Sequence, residues 1–455
     1  MRFFLDPFGC VKNQVDAETM MACLNGAGWS AVENAADADL IIINSCGFIE
    51  SAKQESINAV LLWRKQYPGK KILLAGCLAQ RYAKELAESL PEADLLFGNT
   101  DPEGIVEAAA KLTGNGDTVI TPHSSLPGQR PLLSLPGSAY VKINEGCNNR
   151  CTFCSIPLIR GPLRSRSSTD VIAECRELLS RGIKELCLIG QDIGSYGKDF
   201  SRGESCLPGL LEALSELEGD FWVRLLYIHP DNFPPHILDI MEQDKRRHPY
   251  HQRFLPYFDL PFQHGSEKIL AAMNRRGTME TYLALIETIR SRLPGAVIRS
   301  TFLLGFPGET GEDFEALLNF QNKARLDWLG CFTYSREEDT PAYTMKKRVP
   351  QKLAVERKRI VEEQQIGISE KQIDRFVGKE FDVLVEEAVD AEDGLYLGRL
   401  YCQAPEVDGA AVITSERNLA PGAFVRGKVV GRAGFDLEVL VGGNERQDRK
   451  APPVL

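Results

Sequence analysis

The first 120 residues alternate short apolar runs with stretches whose apolar residues recur at helical spacing. Residues 2–6 (RFFLD), 40–44 (LIIIN) and 71–75 (KILLA) read as strands. Helical segments follow them, carrying first Ala22 and Leu24, then Ile57, Val60 and Leu61, then Tyr82, Leu86 and Leu90. Strand alternating with helix predicts an open parallel α/β sheet. Residues 121–137 contain four prolines and two glycines and read as a linker. A second α/β series follows, with strands expected at 139–143, 185–190, 222–228, 257–261, 297–305 and 329–335. Six strand–helix units in about 200 residues predict a partial (β/α)6 barrel, short of the full eight-fold closure. Residues 345–375 form a charged helical segment. The pattern then changes to five short strands broken by Gly, Asp and Pro, which predicts a small all-β barrel. The expected division is therefore 1–120 for the open-sheet domain, 121–137 for the linker, 138–373 for the partial barrel and 374–442 for the β-barrel. The tail, 443–455, is expected to be disordered.

Composition narrows the function classes. The chain of 455 residues is 43% hydrophobic and 25% charged, so it can bury several cores without disulfide support. No run of about 18 apolar residues occurs, so no spanning helix is expected. The opening MRFFLDPFGC lacks a basic segment ahead of a long apolar stretch, so no secretory signal is expected and the cytoplasm is the expected compartment. A formal charge of −10 argues against a coat for nucleic acid or anionic membrane and is compatible with a basic partner.

Twelve cysteines are many for a compartment where disulfides are rare. Cys23, Cys175 and Cys187 fall in apolar-periodic or strand-like segments and read as small buried hydrophobes. Cys10, Cys46 and Cys77 differ, because each follows one of the first three strands by a few residues. Ligands gather at the carboxyl ends of strands in open parallel sheets, so three loops delivering one thiol each could assemble a metal site; a chance arrangement gives the same spacing. Cys147, Cys151 and Cys154 form C-x3-C-x2-C in EGCNNRCTFC. Three thiolates within eight residues can wrap one face of an inorganic cluster, or bind zinc. Structural zinc wants four ligands, and no fourth Cys or His lies nearby. A three-ligand set leaves an open coordination position, which catalytic metal sites require. The loop follows the barrel's first strand, at the face where such folds place active sites.

Other strand ends offer further candidates. GFPGET at residues 305–310 joins a strand to a helix, where Gly305 and Gly308 allow close backbone approach and the helix start favours an anion. Gln191 lies past the second barrel strand. Arg224 lies within the third, suited either to clamping a carboxylate or to an internal ion pair. His229, Gln263 and His264 end strands and could line a pocket.

With Phe153 supplying the aromatic residue before the third cysteine, the chain resembles radical S-adenosylmethionine enzymes. The added trio Cys10, Cys46 and Cys77, with a C-terminal barrel similar to a TRAM domain, narrows the resemblance to the methylthiotransferases. GCVKN (9–13), NSCGFIE (44–50), RSRS (164–167), QDIGSYG (191–197) and APEVDG (404–409) resemble the RimO branch. That branch commonly has proline where this chain has Val11, a departure that leaves the neighbouring cysteine untouched. The resemblance implies two [4Fe-4S] clusters, on Cys147, Cys151, Cys154 and on Cys10, Cys46, Cys77, with S-adenosylmethionine at the first. It implies cofactor contacts near Phe153, Gln191, Arg224, Gly305 and Gly308. The implied reaction cleaves S-adenosylmethionine to a 5′-deoxyadenosyl radical and adds methylthio to the β-carbon of an aspartate in small-ribosomal-subunit protein twelve. An electron donor and a sulfur source are implied partners, and the small ribosomal subunit is a possible one.

The substrate is open to argument, because related MiaB-type enzymes act on a transfer-RNA adenosine. Residues 374–441 contain 7 Lys and Arg against 13 Asp and Glu, a net of −6. A module that grips RNA should be basic, whereas an acidic one suits a Lys/Arg-rich ribosomal protein. The basic stretch from Lys346 to Arg359 points the other way, although a solvated helix face explains it equally well. Three readings remain: ribosomal-protein methylthiotransferase, transfer-RNA methylthiotransferase, and a non-catalytic iron–sulfur protein that binds ribosomes.

Overall fold

The computed structural model describes residues 1–114, 129–200, 203–248 and 251–442. The expected tail at 443–455 and the beginning of the expected linker lie outside them.

The amino-terminal strands Arg2–Pro7, Leu40–Ser45 and Lys71–Gly76 form where the apolar runs place them. Ile41, Ile42 and Ile43 are fully buried because helices cover both faces of the sheet. Two short strands, Ser30–Ala31 and Leu95–Phe97, extend the edges, and every pairing is parallel. In chain order the sheet reads second, first, third, fourth, fifth. The order reverses between Arg2–Pro7 and Leu40–Ser45, and a crevice opens at such a switch point beyond the strands' carboxyl ends.

The second sheet has six parallel strands in strict sequential order: Ser138–Lys142, Glu185–Ile189, Trp222–Leu225, Phe254–Asp259, Val297–Leu304 and Trp328–Thr333. All six expected strands are present, and the sheet stays open. Helices pack on one face around Leu186, Leu188, Val223 and Phe258. The opposite face carries Tyr140, Cys187, Trp222, Leu255 and Tyr257, which pack against the C-terminal unit.

That unit is a closed five-stranded barrel of Glu380–Asp390, Leu395–Arg399, Ala411–Ser415, Phe424–Ala433 and Asp436–Val441. It meets the six-stranded sheet near the strands' amino ends. Arg399 pairs with Glu185 and donates to Ser138, Trp328 donates to the Cys402 carbonyl at 2.7 Å, and Tyr401 donates to the Gly295 carbonyl at 2.8 Å. The C-terminal barrel therefore closes the end of the sheet remote from the cysteine loops. The described end of the expected linker is also anchored: Arg130 is buried between Glu18 and Glu174, joining the first helix, Val11–Gly26, to helix Ser168–Ser180. No helix among the described residues is long and apolar enough to cross a membrane.

Candidate functional site

Each member of the amino-terminal trio begins the segment after a strand. Cys10 is the residue before helix Val11–Gly26, Cys46 follows Leu40–Ser45, and Cys77 opens helix Cys77–Arg81. Local backbone geometry brings them together. Gly9, at φ +94°, lets its loop lie against Cys46; a Cβ there would come within 3.0 Å of the Cys46 Cβ. Gly47 packs on the Cys77 carbonyl, where a Cβ would sit at 2.8 Å. Burial raises the Cys77 thiol to about 12 and also raises Cys46, and both feel the charge of Cys10. Cys77 Sγ receives hydrogen bonds from Asn99 Nδ2 and from Arg160, each at 3.1 Å.

Cys147, Cys151 and Cys154 occupy a loop pinned from three sides. The short antiparallel pair Asn144–Glu145 and Arg164–Ser165 closes its base. Thr152 donates to the carbonyls of Ala272 and Met273, and its own carbonyl accepts from Ala342. Burial raises Cys154 to about 12 and Cys147 to about 11; Cys151 is also raised, with Arg275 pulling in the opposite direction. His229 Nε2 lies 3.8 Å from Cys151 Sγ. The Asp231 amide donates to His229 Nδ1, so the neutral ring carries its proton on Nε2, toward the sulfur. Burial, with Arg275 and Arg276 nearby, lowers His229 to about 2 and keeps it neutral.

One short element joins the two sets. Helix Ile156–Arg160 starts two residues after Cys154, and its five residues span about 7.5 Å. At its end Arg160, only 6% exposed, pairs with Asp16 at 2.6 Å and Glu145 at 3.2 Å while donating to Asn13 and Cys77. Gln191 donates to the same Glu145 at 2.7 Å. Lys12 lies over the Tyr227 ring, 2.7 Å from its centroid, and burial lowers it to about 8. The two thiol sets thus border one polar seam between the sheets. Neither Arg160 nor Lys12 had been singled out as a site residue in the sequence.

The donor set bears on the group it can hold. A zinc ion with sulfur ligands at about 2.3 Å draws those ligands to within about 4 Å of one another. Among the described residues no three His, Cys, Asp or Glu side chains form a group placed to hold a single metal ion. The two sets offer thiols alone, three and three, the donor chemistry that iron–sulfur clusters take.

Three family models match in succession: the uncharacterized protein family UPF0004 over residues 2–98, the radical SAM superfamily over 141–320, and the TRAM domain over 377–441. The ribosomal protein uS12 methylthiotransferase RimO of Treponema denticola is 46% identical, with 96% of this chain and all of that protein aligned. The RimO proteins of Thermotoga maritima and Carboxydothermus hydrogenoformans are 40% and 39% identical, with 98% and 96% of this chain and 99% of each relative covered. The chain belongs to the RimO family.

The solved radical S-adenosylmethionine methyltransferase TsrM of Kitasatospora setae shares the fold, with a TM-score of 0.53 at 14% identity over 75% of this chain and 76% of that one. The cobalamin-dependent radical enzyme OxsB aligns with a TM-score of 0.51 at 12% identity, over 80% of this chain and 56% of that one.

The expected cofactor contacts of this RimO-family chain separate into two groups. Phe153 packs beside the cysteine loop against the cluster of Ile269, Met273 and Phe306, and Gln191 reaches the polar seam through Glu145. Arg224 does not face the thiols. It is fully buried, pairs with Glu185 at 2.8 Å, donates to the Tyr401 carbonyl and lies over Tyr257, so it anchors the C-terminal barrel. At GFPGET, expected to approach a ligand closely, the loop's backbone donors are already engaged. Gly305 and Phe306 amides donate to Glu309 Oε2, and the Gly308 amide donates to the Lys347 carbonyl. Burial alone would raise Glu309, but His264 and Arg357 hold it below the ordinary carboxylate value. The loop therefore carries its own anion, and His264 serves that anion rather than a pocket. The basic stretch before the barrel is also engaged in part: Arg357 pairs with Glu309, and Arg359 pairs with Glu356 and Glu363.

Proposed function

We propose that this chain is a radical S-adenosylmethionine methylthiotransferase that modifies the β-carbon of an aspartate in ribosomal protein uS12. The carrying observation is the pair of three-thiol sets, one on three strand-end loops and one on a single loop, each at the carboxyl end of its own parallel sheet and joined by Ile156–Arg160. Cys147, Cys151 and Cys154 hold one [4Fe-4S] cluster and Cys10, Cys46 and Cys77 the other. The three-part division at 1–120, 138–373 and 374–442 belongs to the same reading. With S-adenosylmethionine bound, the first group would supply the radical chemistry and the second the sulfur.

The protein's own residues do the remaining work. Phe153 and the Thr152 contacts fix the shape of the radical loop. Neutral His229 directs Nε2–H at Cys151, stabilising negative charge on sulfur. Arg160 offsets charge at Cys77 while its own charge is balanced by Asp16 and Glu145. Gln191 and Lys142 steady Glu145 in that network. The C-terminal barrel closes the remote end of the six-stranded sheet, leaving the seam between the thiol loops as the approach for substrate. Its net of −6 across residues 374–441 favours a basic protein over RNA. The setting is cytoplasmic, beside the small ribosomal subunit, with an electron donor and a sulfur source as further partners.

The test is anaerobic reconstitution with iron, sulfide, S-adenosylmethionine and a strong reductant, followed by mass spectrometry of uS12. A product in which one methylthio group replaces one hydrogen of the target aspartate is expected. Unmodified uS12 together with a methylthio-nucleoside in transfer RNA would defeat this reading.

A further inference from the structure

Lys12 is poorly placed for a structural lysine. It is 8% exposed, and among the described residues its ammonium makes no hydrogen bond or ion pair, resting only on the Tyr227 ring. It is the second residue of helix Val11–Gly26, where the helix dipole disfavours a cation. The charge it feels first is that of Cys10, two residues earlier, and the carboxylates it feels are already engaged. Asp259 pairs with Arg299 at 3.1 Å and accepts the Tyr227 amide, while Glu145 serves Lys142, Arg160 and Gln191. Tyr227, the support for the ammonium, holds a left-handed backbone at φ +65°. An ammonium this buried, with no hydrogen bond and with its nearby carboxylates engaged elsewhere, is costly unless a ligand supplies an acceptor.

We infer that Lys12 receives the carboxylate of the substrate aspartate. This rests on the function proposed above and extends it to the group that selects an acidic side chain. The residue two places after Cys10 projects to the ends of the third and fourth strands of the six-stranded sheet, so it borders the seam between the thiol loops. Aspartate modified at its β-carbon brings a carboxylate bonded to the reacting atom, and an ammonium beside that carboxylate fixes the position of the C–H bond. The methionyl carboxylate of S-adenosylmethionine has the same chemistry. Lys12 stands two residues from Cys10, however, beside the thiol set proposed above to supply the sulfur that the substrate receives, which favours the substrate as the source.

The test uses the reconstituted enzyme with S-adenosylmethionine and no reductant, so that binding is measured without turnover. Dissociation constants are compared for uS12 and for uS12 with its target Asp→Asn. Wild-type enzyme should prefer the aspartate form by about tenfold or more, as loss of a charge-assisted hydrogen bond implies. Lys12→Met should bind both forms alike, and Lys12→Arg should restore part of the preference. Equal binding of both forms by the wild type overturns the inference without requiring any variant to fold. Retained preference in Lys12→Met, with iron content matching the wild type, also overturns it. A parallel loss of affinity for S-adenosylmethionine would assign the carboxylate to the cofactor and likewise overturn it. Failure of the function itself would appear separately, as absence of methylthio-uS12 from wild-type enzyme under reduction.

Discussion

Arg160 places one guanidinium fork between two acids, an amide and a thiol, and no other side chain can do all of this at once. Lys carries the charge but not the planar fork. Arg160→Lys should therefore retain the pairing with Asp16 and lose the bonds to Asn13 and Cys77. In a background of Cys147→Ala, Cys151→Ala and Cys154→Ala, electron paramagnetic resonance of the remaining cluster should show an altered signal and lower occupancy; an unchanged spectrum would remove Arg160 from this role. The two thiol sets should also separate by function. Cys154→Ala should abolish formation of 5′-deoxyadenosine, while Cys46→Ala should leave much of it and lose sulfur insertion, with iron falling by about half in each triple variant. Equal loss of cleavage in both single variants would contradict that division. The cysteines were legible because a strand-end position is a local property, readable from the apolar run before it. Arg160 was not, since its partners Asp16 and Cys77 lie 144 and 83 residues away in the chain.

At the level of elements, periodicity identified the long buried strands because burial on both faces leaves little room for polar residues. Ser30–Ala31 and Leu95–Phe97 carry no such signal, because two or three residues at a sheet edge show no period. GFPGET illustrates a different limit. Its glycines signalled a close approach, but the sequence did not say of what. The structure answers with helix Gln351–Ile373: a Cβ on Gly305 would lie 2.4 Å from the Ala354 Cβ. Gly305 also has φ +76°, so Gly305→Ala should cost about 1–3 kcal/mol from overpacking and about 1–2 kcal/mol more from the left-handed backbone. Ala354→Gly in the same chain should recover the first part and leave the second, a split that denaturant titration of the single and double variants can resolve. Glu309→Gln should be harsher, about 3–5 kcal/mol, because Arg357 then remains buried without its counter-charge. Full additivity of Gly305→Ala and Ala354→Gly, with no recovery, would show that the two residues do not meet.

At the level of the whole molecule, the open sheet is completed by docking, which local pattern does not encode. The motif APEVDG suggested kinship from its residues alone; its physical work is visible only once the C-terminal barrel meets the sheet. Asp408 Oδ2 accepts from Tyr257 Oη at 2.6 Å and from the Ala404 amide at 2.9 Å, with Arg299 at 3.6 Å from its other oxygen. The side chain is 1% exposed, and burial raises its carboxyl from 3.8 to about 6, against the pull of Arg299 and the two hydrogen bonds. Because the folded value lies above the unfolded one, the folded protein binds this proton more tightly. Its contribution to stability is therefore fully present below about pH 4 and is lost as pH rises through about 6, a difference of about 3 kcal/mol. Asp408→Asn removes the ionisation, and its amide oxygen can keep the contacts of Oδ2. The variant should melt above the wild type at pH 7.5, and the gap should close toward pH 4 whatever the other carboxylates do, because they are common to both chains. A gap that stays constant across that window would mean that Asp408 is ionised throughout and that Arg299, rather than desolvation, governs the seam. A gap that closes would identify the join between barrel and sheet as the place where acidity bears on the fold, remote from the thiol loops.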